Sequence, residues 1–238
     1  MKRCRSILHA ALRILVAAGI CGIGSVAQAL GQVPPAPAEA ARYAGLHSAA
    51  HTGNVAQIEK LLAAKADSNA RDGRGRTPLH VAAFARQRDA IRLLAHSGTN
   101  LNALENDRYD AVTIAAVADD EETLRVLLAA GASAKNVTSR WDGTALIAAA
   151  HLGHEGVVGQ LIVAGAPLDH VNNLHWTAVI ESIVLGNGGK RHAATLRALI
   201  DAGANLALAD RQGNTPLALA RSRGYGPMVE MLEKAGAR

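Results

Sequence analysis

The most regular feature of the chain is a pattern of apolar and small residues that recurs about every 33 positions. Apolar anchor residues start successive units at intervals of 33, 33, 34, 33 and 38 residues: Leu46, Leu79, Val112, Leu146, Val179 and Leu217. Two small residues follow three and four positions after most anchors, as in Ala82-Ala83 and Ala115-Ala116. A period of this length indicates a repeat protein, in which each unit buries its apolar face against its neighbours.

Each unit contains the signals of two helices and a turn. The small residues after the anchor allow a first helix to approach a second one closely. Apolar residues 12 and 15 positions after the anchor, such as Ile91 and Leu94, share one face of the second helix. Glycine at position 19, such as Gly98, suits the left-handed turn that ends a helix, and Pro78 suits a first helical turn. The pattern therefore predicts helix–turn–helix units joined by protruding turns such as 72–76.

The fold class that follows is an all-α solenoid of about six helix–turn–helix units. They occupy residues 43–238, at about 43–72, 73–105, 106–139, 140–172, 173–210 and 211–238. The fifth unit has five extra residues in the glycine-rich region Leu185–His192. Because glycine is dense there, we expect a flexible excursion between the two helices of this unit. It is either a contact element carried by a rigid scaffold or a neutral insertion.

The N-terminal residues 1–29 have the organisation of a secretory signal peptide. Basic residues precede an uncharged apolar run of 13 residues, and Ala27-Gln28-Ala29 supplies the small residues before a cleavage point. We expect cleavage after Ala29 and a periplasmic or secreted mature protein. The alternatives are an uncleaved anchor, which would be the one contact with a membrane, and lipid attachment at Cys21. Residues 30–42 are predicted to be a stiff Pro/Ala-rich tether outside the core.

The composition beyond residue 29 argues against two classes of function. The whole chain has 25 Lys and Arg against 20 Asp and Glu. Four of the basic residues lie within 1–29, so 21 basic and 20 acidic residues remain, which disfavours binding of nucleic acid. Both cysteines, Cys4 and Cys21, also lie there. The repeat domain therefore has no thiol for a disulfide, a cysteine-based zinc site or a cysteine nucleophile.

Several residues in these units resemble the ankyrin repeat. They are Thr77-Pro78-Leu79-His80 with Ala82-Ala83, Thr215-Pro216-Leu217, Gly153-His154, and the Gly-Ala pairs at 131–132, 165–166 and 203–204. The resemblance covers about residues 44–238, and the signal segment makes the whole similar to exported, periplasmic bacterial ankyrin proteins. It implies a module for protein–protein interaction without shared catalysis, so we expect no enzyme, no cofactor and a monomer.

Ten histidines raise the question of a metal or catalytic site. The resemblance gives structural roles to His47, His80 and His154. A zinc-protease pattern begins at His154-Glu155 but fails, because Val158 stands where the second histidine is required. Three further histidines cluster around the fifth unit and are either solvated loop residues or a weak surface metal site: His170, His175 and His192. We predict no catalytic and no metal-binding residues.

Partner-binding residues are expected on two exposed zones of such a solenoid. One zone is the tips of the turns, and the other is the positions five and six after each anchor, which line the concave face. The tips carry Trp, Tyr and Arg, which are enriched at binding hot spots, and the concave positions are largely apolar. The candidate contact residues are Arg74, Arg76, Phe84, Arg108, Tyr109, Val117, Trp141, His151, Leu152, Asn173, His175, Trp176, Val184 and Leu185. We hypothesise that a protein partner lies across the stripe Phe84–Val117–Leu152–Val184 and is held by the tips with Trp141 and Trp176. The alternative is that these side chains pack against neighbouring turns.

Two roles for such a binding protein in the cell envelope are open. In the first, the chain scaffolds or protects a stress-related enzyme. In the second, it is an immunity-type stoichiometric inhibitor of a delivered toxin. A third class, a histidine-based metal or haem carrier, would bring bound metal or colour with the purified protein.

Overall fold

Thirteen α-helices and no β-strand lie within residues 32–238, the part of the chain that the computed structural model describes. The predicted all-α solenoid is confirmed. Every one of these helices belongs to the unit formed by residues 35–238, and none is long and apolar enough to cross a membrane. The predicted signal peptide, the alternative anchor and the alternative lipid at Cys21 lie outside the described residues.

One short helix precedes six helix pairs. Helix α1 is Pro37–Ala40. The pairs are α2 (Gly45–Thr52) with α3 (Val55–Ala63), α4 (Pro78–Phe84) with α5 (Arg88–His96), α6 (Ala111–Val117) with α7 (Glu121–Ala129), α8 (Ala145–Leu152) with α9 (Glu155–Val163), α10 (Ala178–Val184) with α11 (Lys190–Asp201), and α12 (Pro216–Ser222) with α13 (Gly226–Lys234). The first helix of each pair contacts the first helix of the next, and the second helices do the same. The units therefore stack in chain order.

A polar cap sets the N-terminal residue of five of the six first helices, and α2 follows Ala44, which provides no side-chain cap. Asp110, Thr144, Thr177 and Thr215 each accept a hydrogen bond from the N–H group three residues on, at 2.7 to 3.3 Å. Such caps satisfy amide groups that the helix itself leaves unpaired. In α4 the arrangement is reversed, because the N–H of Thr77 donates to Nδ1 of His80 at 3.1 Å.

The core consists of the rows of residues that the repeat pattern predicted. The anchors and the small residues after them are buried, and so are the apolar residues on the second helices, including Ile91, Leu94, Leu124 and Leu127. Leu61 in the first unit is only half-buried, since that unit has one neighbour instead of two. Packing between neighbouring units therefore supplies the apolar burial of the fold.

Histidine side chains join the units through main-chain carbonyl groups. The Nε2 of His47 donates to the carbonyl of Arg76 at 2.9 Å, and the Nε2 of His80 donates to that of Tyr109 at 3.1 Å. His154 bonds through Nδ1 to the carbonyl of Ala116 at 2.9 Å. Their predicted structural roles are confirmed.

The predicted tether differs from the structure in its second half. Residues 37–40 form the helical turn α1, because Pro37 has the fixed backbone angle that suits a first turn. Glu39 forms an ion pair with the buried guanidinium of Arg76. The end of the segment is therefore held against the first protruding turn.

The insertion in the fifth unit is also ordered differently from the predicted flexible excursion. It adds three residues to α11, which has 12 residues where α7 has 9, and it lengthens the loop before that helix. The ring of Tyr225 packs against Gly188, and its hydroxyl donates to the carbonyl of Gly186 at 3.0 Å. The loop is held by the next unit, and glycine is present because the Tyr225 ring occupies the space that a side chain would need.

The same insertion reaches back across two units. Arg191 donates through Nε to the carbonyl of Gly153 at 3.1 Å and through Nη2 to the carboxylate of Asp119 at 2.6 Å. His192 lies with Nε2 at 3.0 Å from the carbonyl of His151. The insertion therefore ties units three, four and five together along the loops between their helices.

His80 makes the stability of the fold depend on pH. Burial lowers the pKa of His80 to about 4, although its bond to Tyr109 favours the charged form. Between pH 6.5 and 4 the unfolded chain then binds a proton that the folded chain does not, so the free energy of unfolding falls as the pH drops. We expect a loss of about 3 kcal/mol over this window from His80. Urea denaturation at several pH values should show a shallower pH dependence for His80→Gln; an unchanged slope would contradict this assignment.

The contact at Gly188 predicts a large cost for a single methyl group. A Cβ there would lie 2.5 Å from Cδ1 of Tyr225, and the backbone is left-handed with φ 67°. Gly98 is the matched control, since it is left-handed with φ 78° but has nothing within 4 Å of a Cβ. We expect Gly98→Ala to cost about 1 kcal/mol through backbone strain and Gly188→Ala about 1 to 3 kcal/mol more. If urea denaturation gave equal losses in the free energy of unfolding for the two variants, the loop would be able to move away from the added methyl group without cost.

Candidate protein-binding surface

Five hairpin turns, here called fingers, protrude before the first helices of units two to six. They are Asp72–Arg76, Glu105–Tyr109, Thr138–Gly143, Asn172–Trp176 and Asp210–Asn214. In each finger the N–H of the first residue donates to the carbonyl of the last at 2.8 to 3.0 Å. The N–H and carbonyl groups of these two residues thus close every hairpin in the same way.

Neighbouring fingers are joined edge to edge by main-chain hydrogen bonds. The N–H of Asn106 donates to the carbonyl of Arg74 at 3.0 Å, and that of Ser139 donates to Arg108 at 2.8 Å. The N–H of Asn173 donates to the carbonyl of Trp141 at 3.0 Å. Four fingers therefore form a continuous row whose tips have fixed relative positions.

The last residue of the first two fingers is buried, which corrects two of the predicted contact residues, whereas Asn214 at the end of the fifth finger is exposed. The side chain of Arg76 is 1% exposed, and Tyr109 is buried in the core. Trp176, at the same position of its finger, is half-buried and packs against the core. In these three fingers the residue directly precedes the cap of a first helix, and its side chain enters the packed region beside that helix.

Arg76 is held in a buried network of charges. Its Nε donates to a carboxylate oxygen of Asp72 at 2.8 Å, and its guanidinium also pairs with Glu39. Tyr43 donates to Asp72 at 2.7 Å. Burial works against ionisation of Asp72, but the hydrogen bonds from Tyr43 and Arg76 outweigh it, and the pKa of Asp72 is lowered. Burial and the bond to Asp72 raise the pKa of Tyr43. This network anchors the first finger.

The tip residues predicted from the sequence are otherwise exposed: Arg74, Arg108, Trp141, Asn173 and His175. Arg108 and His175 have left-handed backbone with φ 66° and 64°, at the finger position where Gly75 and Gly213 stand elsewhere. A side chain in this conformation costs about 1 kcal/mol relative to glycine. Non-glycine residues in strained positions are enriched at functional sites.

The first helices present less apolar surface than predicted. Phe84, Leu152, Val184 and Leu185 are half-buried, but Val117 is buried, as is all of α6. The prediction that Val117 faces the solvent is wrong, because every side chain of α6 is buried, including those on the face where the other first helices are half-exposed. The expected stripe is therefore interrupted in its middle.

A polar pair lies between α8 and α10. The Nδ1 of His151, which is half-buried, is 3.2 Å from a carboxylate oxygen of the buried Glu181. The other carboxylate oxygen of Glu181 accepts from the amide of Asn172 at 3.0 Å. Sequence reasoning missed Glu181. The sequence signal for Glu181 is an acidic residue two positions after the anchor, where units two and three have the apolar residues Val81 and Ile114.

Exposed apolar side chains concentrate on two adjacent fingers. Val137, Trp141 and Val171 are 38%, 43% and 42% exposed, and each lies in or directly before the finger at 138–143 or at 172–176. The guanidinium of Arg140 lies 5.0 Å from the ring centroid of Trp141. Val137 and Val171 are not among the contact residues predicted from the sequence, because a valine beside a turn is not part of the repeating pattern.

Two of the three histidines around the fifth unit lie against carbonyl groups. The Nε2 of His170 lies 2.6 Å from the carbonyl of Asp142, and the Nε2 of His192 lies 3.0 Å from that of His151. The Nδ1 of His175 instead lies 3.4 Å from Nη2 of Arg211. Within residues 32–238 there is no group of three or more His, Cys, Asp and Glu side chains placed to hold a metal ion.

Known proteins with similar sequences and structures agree with this architecture. A family model for ankyrin repeats (3 copies) matches residues 24–105, 46–138 and 146–238. The chain is 32% identical over 190 residues to the ankyrin repeat protein YahD of Escherichia coli K12, covering 79% of this chain and 94% of that protein.

Two solved structures show the same fold. An ankyrin repeat domain from Acinetobacter baumannii is 41% identical, with a TM-score of 0.77 over 81% of this chain and 98% of that one. The ankyrin repeat domain of Bcl-3, a member of the IkappaB family, is 26% identical, with a TM-score of 0.74 over 83% of this chain and 88% of that one. Ankyrin repeats are protein–protein interaction modules and are generally not enzymes. The chain belongs to the ankyrin repeat family.

Proposed function

We propose that the chain binds a protein partner across the fingers at 105–109, 138–143 and 172–176 and the adjoining first helices. The observation that carries this proposal is the exposed apolar group Val137, Trp141 and Val171 on two fingers of a rigid row. Aromatic side chains at exposed positions are frequent anchors of interfaces. Because the tips are already ordered by main-chain bonds, little conformational entropy would be lost on binding.

The strained tips give this proposal independent support. Arg108 and His175 keep a left-handed backbone that glycine would adopt more favourably. Arg108 forms an exposed ion pair with Asp142 at 2.8 Å, and such pairs stabilise a fold by less than about 1 kcal/mol. A contribution to binding explains why side chains are present at these positions.

The cellular setting is part of the same proposal. The basic residues, the apolar run and the small residues of 1–29 support export, so we place the mature chain in the periplasm or outside the cell. There it either scaffolds or protects a stress-related enzyme or inhibits a delivered toxin. Enzyme stability in the presence of the chain tests the first role, and inhibition at a 1:1 ratio tests the second.

Trp141 is the residue whose loss should weaken binding most. The full chain, tagged at its C-terminus, would be used to isolate partners from an envelope extract, and affinities for the purified partner would then be measured by calorimetry. We expect Trp141→Ala to weaken binding by about tenfold or more, as for a hot-spot aromatic. Val163→Ala is the matched control, because Val163 is 90% exposed at the end of α9, outside the fingers. Equal affinities for both variants would remove the proposed surface.

Glycine at the strained tips should separate binding from stability. We expect Arg108→Gly and His175→Gly to fold with unchanged or slightly higher stability, since the strain of about 1 kcal/mol is relieved. The same variants should bind the partner more weakly. Urea denaturation and calorimetry on each variant measure the two effects. Full affinity together with increased stability would mean that these side chains take no part in recognition.

Export can be tested directly on the protein. We expect the mass of the chain recovered from a bacterial periplasm to correspond to a first residue of Leu30. A mass that includes residues 1–29, found in the membrane fraction, would instead indicate an anchor, and a mass increase at Cys21 would indicate a lipid.

A further inference from the structure

We call the helices and the loops between paired helices the helical side of the molecule. In units two to five, the arginines on this side are neutralised by carboxylates. Between residues 78 and 201, six arginines lie on helices or on the loops between paired helices, and all six form ion pairs: Arg86, Arg88, Arg92, Arg125, Arg191 and Arg197. Several of these pairs join different units, as between Arg88 and Asp120 at 3.0 Å. On this side of the described units, Lys190 at the start of α11 and Arg223 between α12 and α13 have no ion pair, so most but not all of its positive charge is compensated.

Most of the exposed arginines on the fingers, in contrast, have no carboxylate partner. Among the described residues, Arg74, Arg140 and Arg211 have no carboxylate within ion-pair distance, and Arg108 alone of the four is paired. Arg140 lies against the ring of Trp141. Nη2 of Arg211 donates to the carbonyl of Asn173 at 2.9 Å and lies 3.4 Å from Nδ1 of His175, so Nε and Nη1 are the nitrogens with N–H groups left over.

The carboxylates near the fingers do not neutralise these guanidinium groups. At the tips there are two, Asp107 and Asp142, and Asp142 is paired with Arg108. The others serve the fold: Asp72 is bonded to the buried Arg76, Glu105 accepts the N–H of Tyr109, Asp110 caps α6, and Asp210 accepts N–H groups within its own finger. The five fingers contain five basic and five acidic residues in all, but at the tips four exposed guanidinium groups stand against two carboxylates.

We propose that the partner docks an acidic, extended segment along the five fingers, of which the first four form the hydrogen-bonded row, with apolar side chains of that segment against Val137, Trp141 and Val171. This inference rests on the proposed function and specifies the chemistry of the partner. Guanidinium groups bind carboxylates through two parallel hydrogen bonds, which Arg74 and Arg140 are free to form. Arg211 can add a single hydrogen bond from Nε or Nη1, because its Nη2 is engaged within the fingers. The main-chain groups that join the fingers are already paired, so recognition falls to these side chains.

The charge balance favours an acidic protein segment over a nucleic acid. The 21 basic and 20 acidic residues beyond residue 29 provide no broad positive surface. Three unpaired guanidinium groups with an aromatic and two valines between them suit a short segment that mixes acidic and apolar residues. Binding of a phosphate backbone rests on many cations and on little apolar contact.

The test uses defined probes with the full chain. A labelled 15-residue peptide rich in Glu with one Trp and two Leu, the same peptide with Lys in place of Glu, and a single-stranded 15-nucleotide DNA would be titrated by fluorescence anisotropy. We expect the acidic peptide to bind, and to bind more weakly at 300 mM than at 50 mM salt. The triple variant R74Q/R140Q/R211Q should lose about tenfold in affinity.

The matched control removes the same charge from the helical side. In R92Q/R125Q/R197Q three paired, exposed arginines are changed, and we expect less than a twofold loss. Tighter binding of the lysine peptide or of the DNA, no binding of the acidic peptide, or equal losses in both triple variants would each overturn the inference.

The isolated partner separates this inference from the proposed function. If Trp141→Ala weakens its binding while the finger triple variant and added salt do not, the surface stands and the acidic segment is wrong. If neither Trp141→Ala nor the finger triple variant weakens binding of the partner, the proposed surface and the acidic segment are both wrong.

Discussion

The structure depends on the packing of each helix pair against the next. A single unit has one row of alanines and one row of larger apolar residues, and neither row can be buried within the unit itself. The small side chains bring neighbouring first helices close, so their backbones and caps acquire a common register. Buried histidines such as His80 add a hydrogen bond from one unit to a carbonyl of the next, which makes the register specific as well as favourable.

This register accounts for the binding surface. Because the first helices of units two to six each begin directly after a hairpin and stack in chain order, adjacent hairpins come within hydrogen-bond distance. The N–H of Asn173 meets the carbonyl of Trp141 for this reason. The tips are therefore positioned by the core, although they contribute almost nothing to it, and their side chains vary without loss of the fold. Charge, aromatic rings and strained residues such as Arg108 are tolerated there.

The parts of the fold that depend on local period could be predicted from the sequence, and those that depend on contacts between units could not. The anchors and the alanines follow from spacing, and the structural histidines follow from the resemblance to the ankyrin repeat. Arg76 and Tyr109 were taken for exposed tips, because the sequence shows that a residue belongs to a turn but not on which side of the hairpin it lies. Val117 lies in a helix of which every residue is buried, which its position in the repeat does not reveal. The glycine-rich insertion suggested mobility, whereas the ring of Tyr225, 37 residues beyond Gly188, holds it in place.

The pairing of the arginines has a geometric component that must be separated from any function. On a helix, a carboxylate three or four residues away is a natural partner, as Asp89 is for Arg92, and a hairpin tip has no such neighbour. Yet Arg108 pairs with Asp142 of the next finger, so a tip arginine can be neutralised by its neighbour. An acid opposite Arg74 or Arg140 would have been accommodated in the same way. The unpaired arginines are therefore not a necessary result of their position, and the affinity for carboxylates that they retain is available to a second molecule.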